Sequence, residues 1–235
     1  MTTDSQHPHL AQQHPAAAYY AAPGGPVPGQ AKDLTALGVL AFVPAAVATL
    51  CTCVAAVVLG RAARLRARDG LDAFDWSLAV YYVATGLALL ALVSGFVTGS
   101  LWLHRARKNA EALEPGSRHA RRGGWAWGGW VTPVVALWFP FQVVRDVRRA
   151  LSPLQSAALI GFWWSLFLAT EIGLRASLDL QGDALARFDN ADFARQMSVI
   201  TAAVMVAALA GWGQVLRVIT LEQHARMYAG RDPRT

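Results

Sequence analysis

The hydrophobic residues of this chain are collected in long runs with few or no charges. The first two runs cover residues 34–59 and 76–103, and two more lie at about 153–172 and 197–216. A helix of about 20 apolar residues spans the hydrocarbon core of a bilayer. The pattern therefore predicts an all-α integral membrane bundle of four transmembrane helices.

A further uncharged stretch, residues 123–144, differs from the others because it contains four glycines, two prolines and four tryptophans. Glycine and proline interrupt helices, and tryptophan concentrates at the membrane–water interface. Together with the residues that follow, it is predicted to form an interfacial or re-entrant segment over 123–150. Such a broken segment does not cross the bilayer as a smooth helix.

The residues after the tryptophans predict a short amphipathic helix. At about 100° per residue, one face collects Phe141, Val144, Val147 and Leu151. The opposite face collects Gln142, Arg145, Asp146 and Arg149. A helix of this kind lies along the lipid headgroups with its apolar face in the bilayer.

The basic residues favour four spans over five. With four spans, 14 of the 21 lysines and arginines fall on one side of the membrane and 7 on the other. If residues 123–144 also crossed, the two sides would hold 10 and 11. Because basic loops stay in the cytoplasm, the sequence predicts a multi-pass protein of the cell membrane with both termini cytoplasmic.

Three parts of the chain follow from these runs. Residues 1–33 form a tail rich in Pro, Ala and His, which is predicted to be disordered because it has no apolar periodicity. Residues 34–222 form the membrane domain, and residues 223–235 form a polar C-terminal tail. The two cysteines, Cys51 and Cys53, lie about 200° apart around a helix and cannot bridge each other. No metal site or cofactor is predicted.

The composition agrees with a membrane protein, since 54% of the residues are hydrophobic and 15% are charged, against about 25% charged in soluble domains. The net charge of +6 is explained by arginines at cytoplasmic helix ends. A nucleic-acid partner is therefore not expected. The predicted partners are the lipid bilayer, anionic lipid headgroups, and a protein partner or a second copy of the chain.

Three stretches resemble a known family. They are WLHRARKNAEALEPG (102–116), RRGGWAWGGWVTPVVALWFPFQVVRDV (121–147) and SPLQSAALIGFWWSLFLA (152–169). They resemble actinobacterial membrane proteins of the domain-of-unknown-function family numbered 4328, over about residues 35–225. The resemblance implies a helical membrane domain behind a disordered, Pro-rich tail, and it implies no reaction. The chain departs from the family pattern at Ala136 and Arg148, where asparagine and tryptophan are usual.

One face of the second run carries small residues spaced by four, followed by polar ones. Small residues at this spacing let helices approach closely in lipid. We therefore expect Ala91, Gly95 and Gly99 to pack against Ala203, Ala207 and Gly211 of the last run. The same face leads to Arg105 and Asn109, so Asp146 is expected to accept hydrogen bonds from Arg105 or another arginine.

The candidate ligand site or polar cluster combines these residues with the tryptophan-rich segment. Its predicted members are Arg105, Asn109, Trp130, Trp138, Gln142, Arg145 and Asp146. Successive glycines leave backbone N–H groups open to an anionic ligand. The alternative is a plain interfacial belt of aromatic residues.

Three classes of function fit the sequence. A membrane scaffold or interaction protein ranks first, and a binder or carrier of a lipid or other amphipathic ligand at the cytoplasmic interface ranks second. A small membrane enzyme acting on a lipid-linked substrate ranks last, because no convergent set of acids, bases or metal ligands is apparent and no catalytic residue is predicted.

Overall fold

The computed structural model describes residues 31–69, 76–116, 119, 124–131, 134–152, 156–187 and 191–229, and the predicted disordered tail falls almost wholly outside them. The helices are α1 (Thr35–Asp69), α2 (Trp76–Leu113), α3 (Trp125–Val131), α4 (Phe139–Leu151), α5 (Ala158–Arg187) and α6 (Ala191–Ala229). A 3₁₀ turn, Val135–Leu137, lies between α3 and α4. Over the described part of the chain, the predicted all-helical class is confirmed.

Three helical stretches are long and apolar enough to cross a membrane by length and composition. They are Thr35–Arg61, Trp76–Leu113 and Asp192–Tyr228, which correspond to the first, second and last predicted spans. Helix α5 does not meet this criterion, although it covers the remaining predicted span. Its apolar run is interrupted near its middle by Glu171 and Arg175.

The long helices run further than the predicted spans. Helix α1 continues through Asp69, beyond the predicted end at residue 59, and α5 continues to Arg187, beyond the predicted end at about residue 172. Helix α4 ends at Leu151, where Ser152 caps it by donating its backbone N–H to Arg148 O (2.9 Å). Helix α5 begins after Ser156, whose Oγ accepts a hydrogen bond from Ala158 N (3.1 Å). The helices can continue through polar residues because the backbone N–H and C=O groups of each added turn form hydrogen bonds within the helix.

The four long helices are arranged as a curved row in the order α2, α1, α6, α5. Helix α2 packs on α1, α1 packs on α6, and α6 packs on α5. Helices α3 and α4 lie across one end of the row and contact α2, while α4 also contacts α5 and α6. The largest cluster of buried hydrophobic residues, which includes Trp102, Val147 and Ile219, fills this end.

The small-residue face of α2 has a different partner from the expected one. A Cβ placed on Gly95 would lie 3.7 Å from Pro44 Cβ of α1, and one placed on Gly99 would lie 4.0 Å from the ring of Trp212 of α6. Ala203 and Ala207 are exposed, and Gly211 lies against Trp163 of α5, whose Cβ would be 3.2 Å from an added Cβ. The predicted pairing of α2 with α6 through these residues is therefore wrong. Spacing identifies a face that permits close approach, but not the helix that approaches it.

The tryptophan-rich segment is broken, as its glycines and prolines predict. Two short helices and the 3₁₀ turn replace one long helix, and Val134 before the turn has a φ of 61°, a conformation that a β-branched residue rarely adopts. Helix α4 is amphipathic, but its buried face differs from the prediction. Val143 and Asp146 are buried, whereas Phe141 is only partly buried. Contact with both α2 and α5 widens the buried face beyond that of a helix lying on lipid alone.

Candidate functional site

A cavity of about 550 Å³ lies inside the row of long helices, and we call it the lateral groove. Helices α1 and α6 supply its floor with Ala45 and Ala208, while α2 and α5 form its sides. Trp130 of α3 and Leu137 of the 3₁₀ turn also line it. Ligand pockets commonly measure about 300–1,000 Å³ and are mostly apolar, so this space has the size and character of a binding site.

The groove opens between α2 and α5. In the described part of the chain these helices do not pack along their lengths, and a hydrogen bond from Tyr81 Oη to Gln181 Oε1 (2.6 Å) joins them toward the end away from α4. Two residues of the groove wall, Leu137 and Ile172, are 54% and 71% exposed. The opening therefore lies on the outer surface of the bundle, beside exposed apolar side chains.

One end of the groove is aromatic. Trp163 stacks on Trp212 with ring centroids 4.9 Å apart, and Trp130 meets Phe167 edge to face at 5.8 Å. The indole of Trp212 donates from Nε1 to Ala41 O (3.2 Å), and that of Trp130 donates to Ala126 O (3.1 Å). Because their polar atoms are satisfied, these rings present a firm apolar wall.

The other end of the groove carries its polar residues, Thr170, Glu171 and Arg175 of α5. Thr170 is 6% exposed, and its Oγ1 has no hydrogen-bond partner. Glu171 is half-buried and lies in the field of Arg175. The structure gives neither side chain a hydrogen bond or an ion pair within the ranges it describes. Together they form what we call the polar end of the groove.

Asn109 lies in a different place from this groove. It is 1% exposed and forms what we call the amide cluster with Gln223, which is 0% exposed. Asn109 Nδ2 donates to Gln223 Oε1 (2.8 Å) and to Lys32 O (2.7 Å), and Asn109 Oδ1 accepts from Lys32 N (3.0 Å). Gln223 Nε2 donates to Ala106 O (2.8 Å). The cluster thus joins the residue before α1 to α2 and α6.

Asp33, next to this cluster, holds the start of α1. Its Oδ1 accepts from Thr35 N (2.7 Å) and lies 2.7 Å from His224 Nε2 of α6. Chiefly because of the Thr35 backbone hydrogen bond, the pKa of Asp33 is lowered to about 2.

Asp146 and Arg105 do not form the predicted pair. Asp146 is buried and its carboxylate Oδ1 lies 3.7 Å from Nη2 of Arg145, the arginine beside it in sequence. No ion pair between Arg105 and Asp146 occurs in the described residues, and Arg105 is half-buried. The pKa of His119 is lowered, first because its side chain is buried and second because Arg107 is near. The carboxylate of Asp146 acts to raise it.

The remaining predicted site residues are dispersed. Trp130 lines the groove, whereas Trp138 is 39% exposed and contacts Phe139. Gln142 is half-buried on α4, and the guanidinium of Arg145 lies over the ring of Phe141 (5.4 Å). Among the seven predicted residues, only Trp130 belongs to the groove, so they do not make one site.

The sequence did contain a signal for the polar end. Leu174, Leu178 and Gln181 continue the spacing of α5 beyond Glu171, which favours a helix that runs past the predicted end at about residue 172. With that extension, Glu171 and Arg175 fall near the middle of a 30-residue helix. Ionisable residues in the middle of a long apolar helix are candidates for a functional site.

The described residues contain no group of three or more His, Cys, Asp or Glu side chains placed to hold a metal ion. Cys51 and Cys53 are both free and half-buried.

Comparisons with known proteins give one match. The family model described as "Domain of unknown function (DUF4328)" matches residues 70–221. The match is narrower than the predicted range of about 35–225, because it begins after α1. No curated protein and no solved structure matches the chain.

Proposed function

Because this chain belongs to the DUF4328 family, whose description names no activity, we propose a function from its geometry: the protein binds a lipid or similar amphipathic molecule in the lateral groove. The observation that carries the proposal is the cavity of about 550 Å³, with an apolar wall, an exposed opening and a charged pair at one end. Binding sites combine an apolar surface with a few placed polar groups in this way.

In the proposed topology α5 is a fourth span. Its 30 residues correspond to about 45 Å of helix, longer than a hydrocarbon core of about 30 Å. It packs along α6, a helix that meets the spanning criterion. Glu171 and Arg175 belong to the groove wall, as expected for charged residues in a membrane bundle. Four spans keep the uneven split of basic residues, and place segment 123–150 and both termini on the cytoplasmic side.

This topology has a direct test by single-cysteine labelling from the outside of cells. Cys51 and Cys53 are first replaced by alanine, and single cysteines are placed at positions 70, 118, 148, 185 and 230. Positions 70 and 185 should be labelled, and the other three should be protected. Labelling of position 148 from outside would contradict the proposed cytoplasmic segment.

The groove changes the order of the functional hypotheses. A scaffold role, which the sequence ranks first, would use the cytoplasmic tail and the basic surface, and most of the N-terminal tail lies outside the described residues. The lipid-binding hypothesis rests on a space within the described bundle. It also moves the expected ligand from the tryptophan-rich segment alone to a groove that this segment closes at one end through Trp130 and Leu137.

The proposal is tested by filling the groove. Ala208 of α6 is buried and lines it, whereas its neighbour Ala207 is exposed on the outer surface. Wild type, Ala208→Phe and the matched control Ala207→Phe are purified in a mild non-ionic detergent, and bound lipid is measured by native mass spectrometry. Ala208→Phe should lose at least about tenfold of the bound ligand, which corresponds to about 1.4 kcal/mol.

The control should retain wild-type occupancy, because its phenylalanine points away from the groove. Equal occupancy in the two variants, at matched thermal stability, would contradict the proposal. Absence of bound amphipath from wild type, even after added lipid, would do so as well.

A further inference from the structure

The polar end of the groove has two residues of opposite charge that do not form an ion pair with each other. Glu171 and Arg175 are one helical turn apart, an arrangement in which an acid and a base commonly pair. The described residues nevertheless include no ion pair between them, and both line the groove. Their side chains are therefore available to a molecule that enters between α2 and α5.

A third group supports a ligand at this place. The hydroxyl of Thr170, next to Glu171, is buried in the groove wall and has no hydrogen-bond partner. A buried hydroxyl left unpaired is unfavourable. This unsatisfied hydroxyl leaves unused hydrogen-bonding capacity in the groove wall beside Glu171.

The charge balance indicates the class of polar group. Glu171 and Arg175 are the charged residues among those that line the groove, so the pair is neutral as a whole. An anionic headgroup would be repelled by Glu171, and a cationic one by Arg175. A zwitterionic headgroup satisfies both, since a carboxylate accepts hydrogen bonds from an ammonium and a guanidinium grips a phosphate.

The volume indicates how much of the molecule is enclosed. A water-sized group occupies about 30 Å³, so a cavity of about 550 Å³ holds on the order of 18 methylene-sized groups. This is enough for at least one acyl chain. The aromatic end, with Trp163, Phe167 and Trp212, supplies the apolar surface for that chain.

We infer that the groove selects a zwitterionic amphipath that carries a primary ammonium and a phosphate. The ammonium binds Glu171, the phosphate binds Arg175, and one acyl chain extends along the aromatic wall. The inference rests on the proposed function, and it names the ligand class of the same groove.

The test uses three single-chain probes with the same acyl chain: lysophosphatidylethanolamine, lysophosphatidylglycerol and the matching alkylamine. Each is titrated into the full-length, delipidated protein in non-ionic detergent, and occupancy is measured by native mass spectrometry. Wild type should bind the zwitterionic probe about tenfold more tightly than each of the others. This factor corresponds to the loss of one charge-assisted hydrogen bond. Binding of a diacyl phosphatidylethanolamine is measured in nanodiscs as well. Binding there would indicate a bilayer lipid as the ligand, and its absence would indicate a free single-chain molecule.

Two variants should shift this preference in opposite directions. Glu171→Gln should reduce zwitterion binding and improve binding of the anionic probe, whereas Arg175→Gln should improve binding of the alkylamine. Asp179→Asn, an exposed position two turns from Glu171, is the matched control and should keep the wild-type order. Opposite shifts cannot result from a general loss of folding.

The outcomes separate the two proposals. If Ala208→Phe blocks all probes but Glu171→Gln leaves their order unchanged, the headgroup inference is wrong and lipid binding stands. If Ala208→Phe and Ala207→Phe bind every probe equally, the groove is not the binding site and both proposals fail.

Discussion

The amide cluster and the polar end of the groove both place polar side chains among apolar helices, but they treat them differently. In the amide cluster, Asn109 and Gln223 make four hydrogen bonds to each other and to the backbone. At the polar end of the groove, Thr170 Oγ1 has no partner, and Glu171 and Arg175 do not form an ion pair. One set of groups is satisfied within the chain, and the other has capacity left for a ligand.

This difference separates structural from functional polarity. A buried polar group is tolerated when its hydrogen bonds are made. Removing it then leaves its partners without a hydrogen bond. A group without a partner is costly to the fold, so it persists where something else binds it. Burial and polarity alone do not distinguish a structural polar group from a functional one. The presence or absence of hydrogen-bond partners within the chain does.

The largest effect is expected in the amide cluster. Asn109→Leu removes three hydrogen bonds and leaves both backbone groups of Lys32 and the Gln223 amide without their partner. Each stranded group costs about 1–3 kcal/mol, so the thermal unfolding midpoint in detergent should fall strongly. Lys108→Leu, at the exposed neighbouring position, is the control and should change little. Similar midpoints for the two variants would remove the basis for calling the cluster structural.

A second comparison tests closed packing against open space. A Cβ added at Gly173 would lie 2.8 Å from Thr201 Oγ1, where α5 and α6 are in tight contact. At Gly95, in the groove wall, the nearest atom would be 3.7 Å away. Gly173→Ala should therefore cost about 1–3 kcal/mol through overpacking, while Gly95→Ala should be neutral or slightly stabilising. Thermal unfolding of both variants decides this, and a reversed order would contradict the described packing.

The third prediction concerns the unused carboxylate. Glu171→Gln removes a charge that has no hydrogen-bond partner in the described residues. In delipidated protein the variant should melt at the wild-type temperature or higher, with a gain of at most about 1 kcal/mol. Added lysophosphatidylethanolamine should then stabilise wild type more than the variant. A loss of stability as large as that of Asn109→Leu would show that Glu171 is structural.

The smallest effect is expected from Asp33, at the solvent-exposed edge of the amide cluster. Its pKa of about 2 lies below the ordinary 3.8, so its contribution to stability is complete above pH 3.8. The contribution is lost as the pH falls from 3.8 to about 2. Asp33→Asn should flatten this part of the curve of unfolding midpoint against pH. His224→Ala should keep most of the slope, because the Thr35 hydrogen bonds remain the main cause.

The sequence was sufficient for the helical class and for the broken tryptophan-rich segment. Long apolar runs and the Gly/Pro content carry that information locally. The length of α5 was underestimated because Glu171 and Arg175 were taken as the end of an apolar run. A helix can continue through charged residues when their side chains line a groove. The pairing of Gly95 with Pro44 could not be predicted, since spacing along one helix does not identify its neighbour.

The candidate site was only partly accessible from the sequence. Trp130 was predicted from its place in the segment, and it does line the groove. Asp146 was expected to meet Arg105 or another arginine. Although α4 packs on α2, the arginine found beside Asp146 is its sequence neighbour Arg145, and the described residues include no ion pair with Arg105. The groove itself depends on which helices fail to touch, a property of the assembled bundle that no single segment contains.

The order of the long helices also has a consequence for how the molecule is assembled. Helices α1 and α2 are neighbours in sequence and in space, and so are α5 and α6. Each pair can form a hairpin from local contacts, which are quick to make. The joining of the hairpins through α1 and α6 is the long-range step, and it alone creates the groove. An amphipath present at that moment would act as a template between two preformed halves, so ligand supply would govern the yield of mature protein as well as its occupancy.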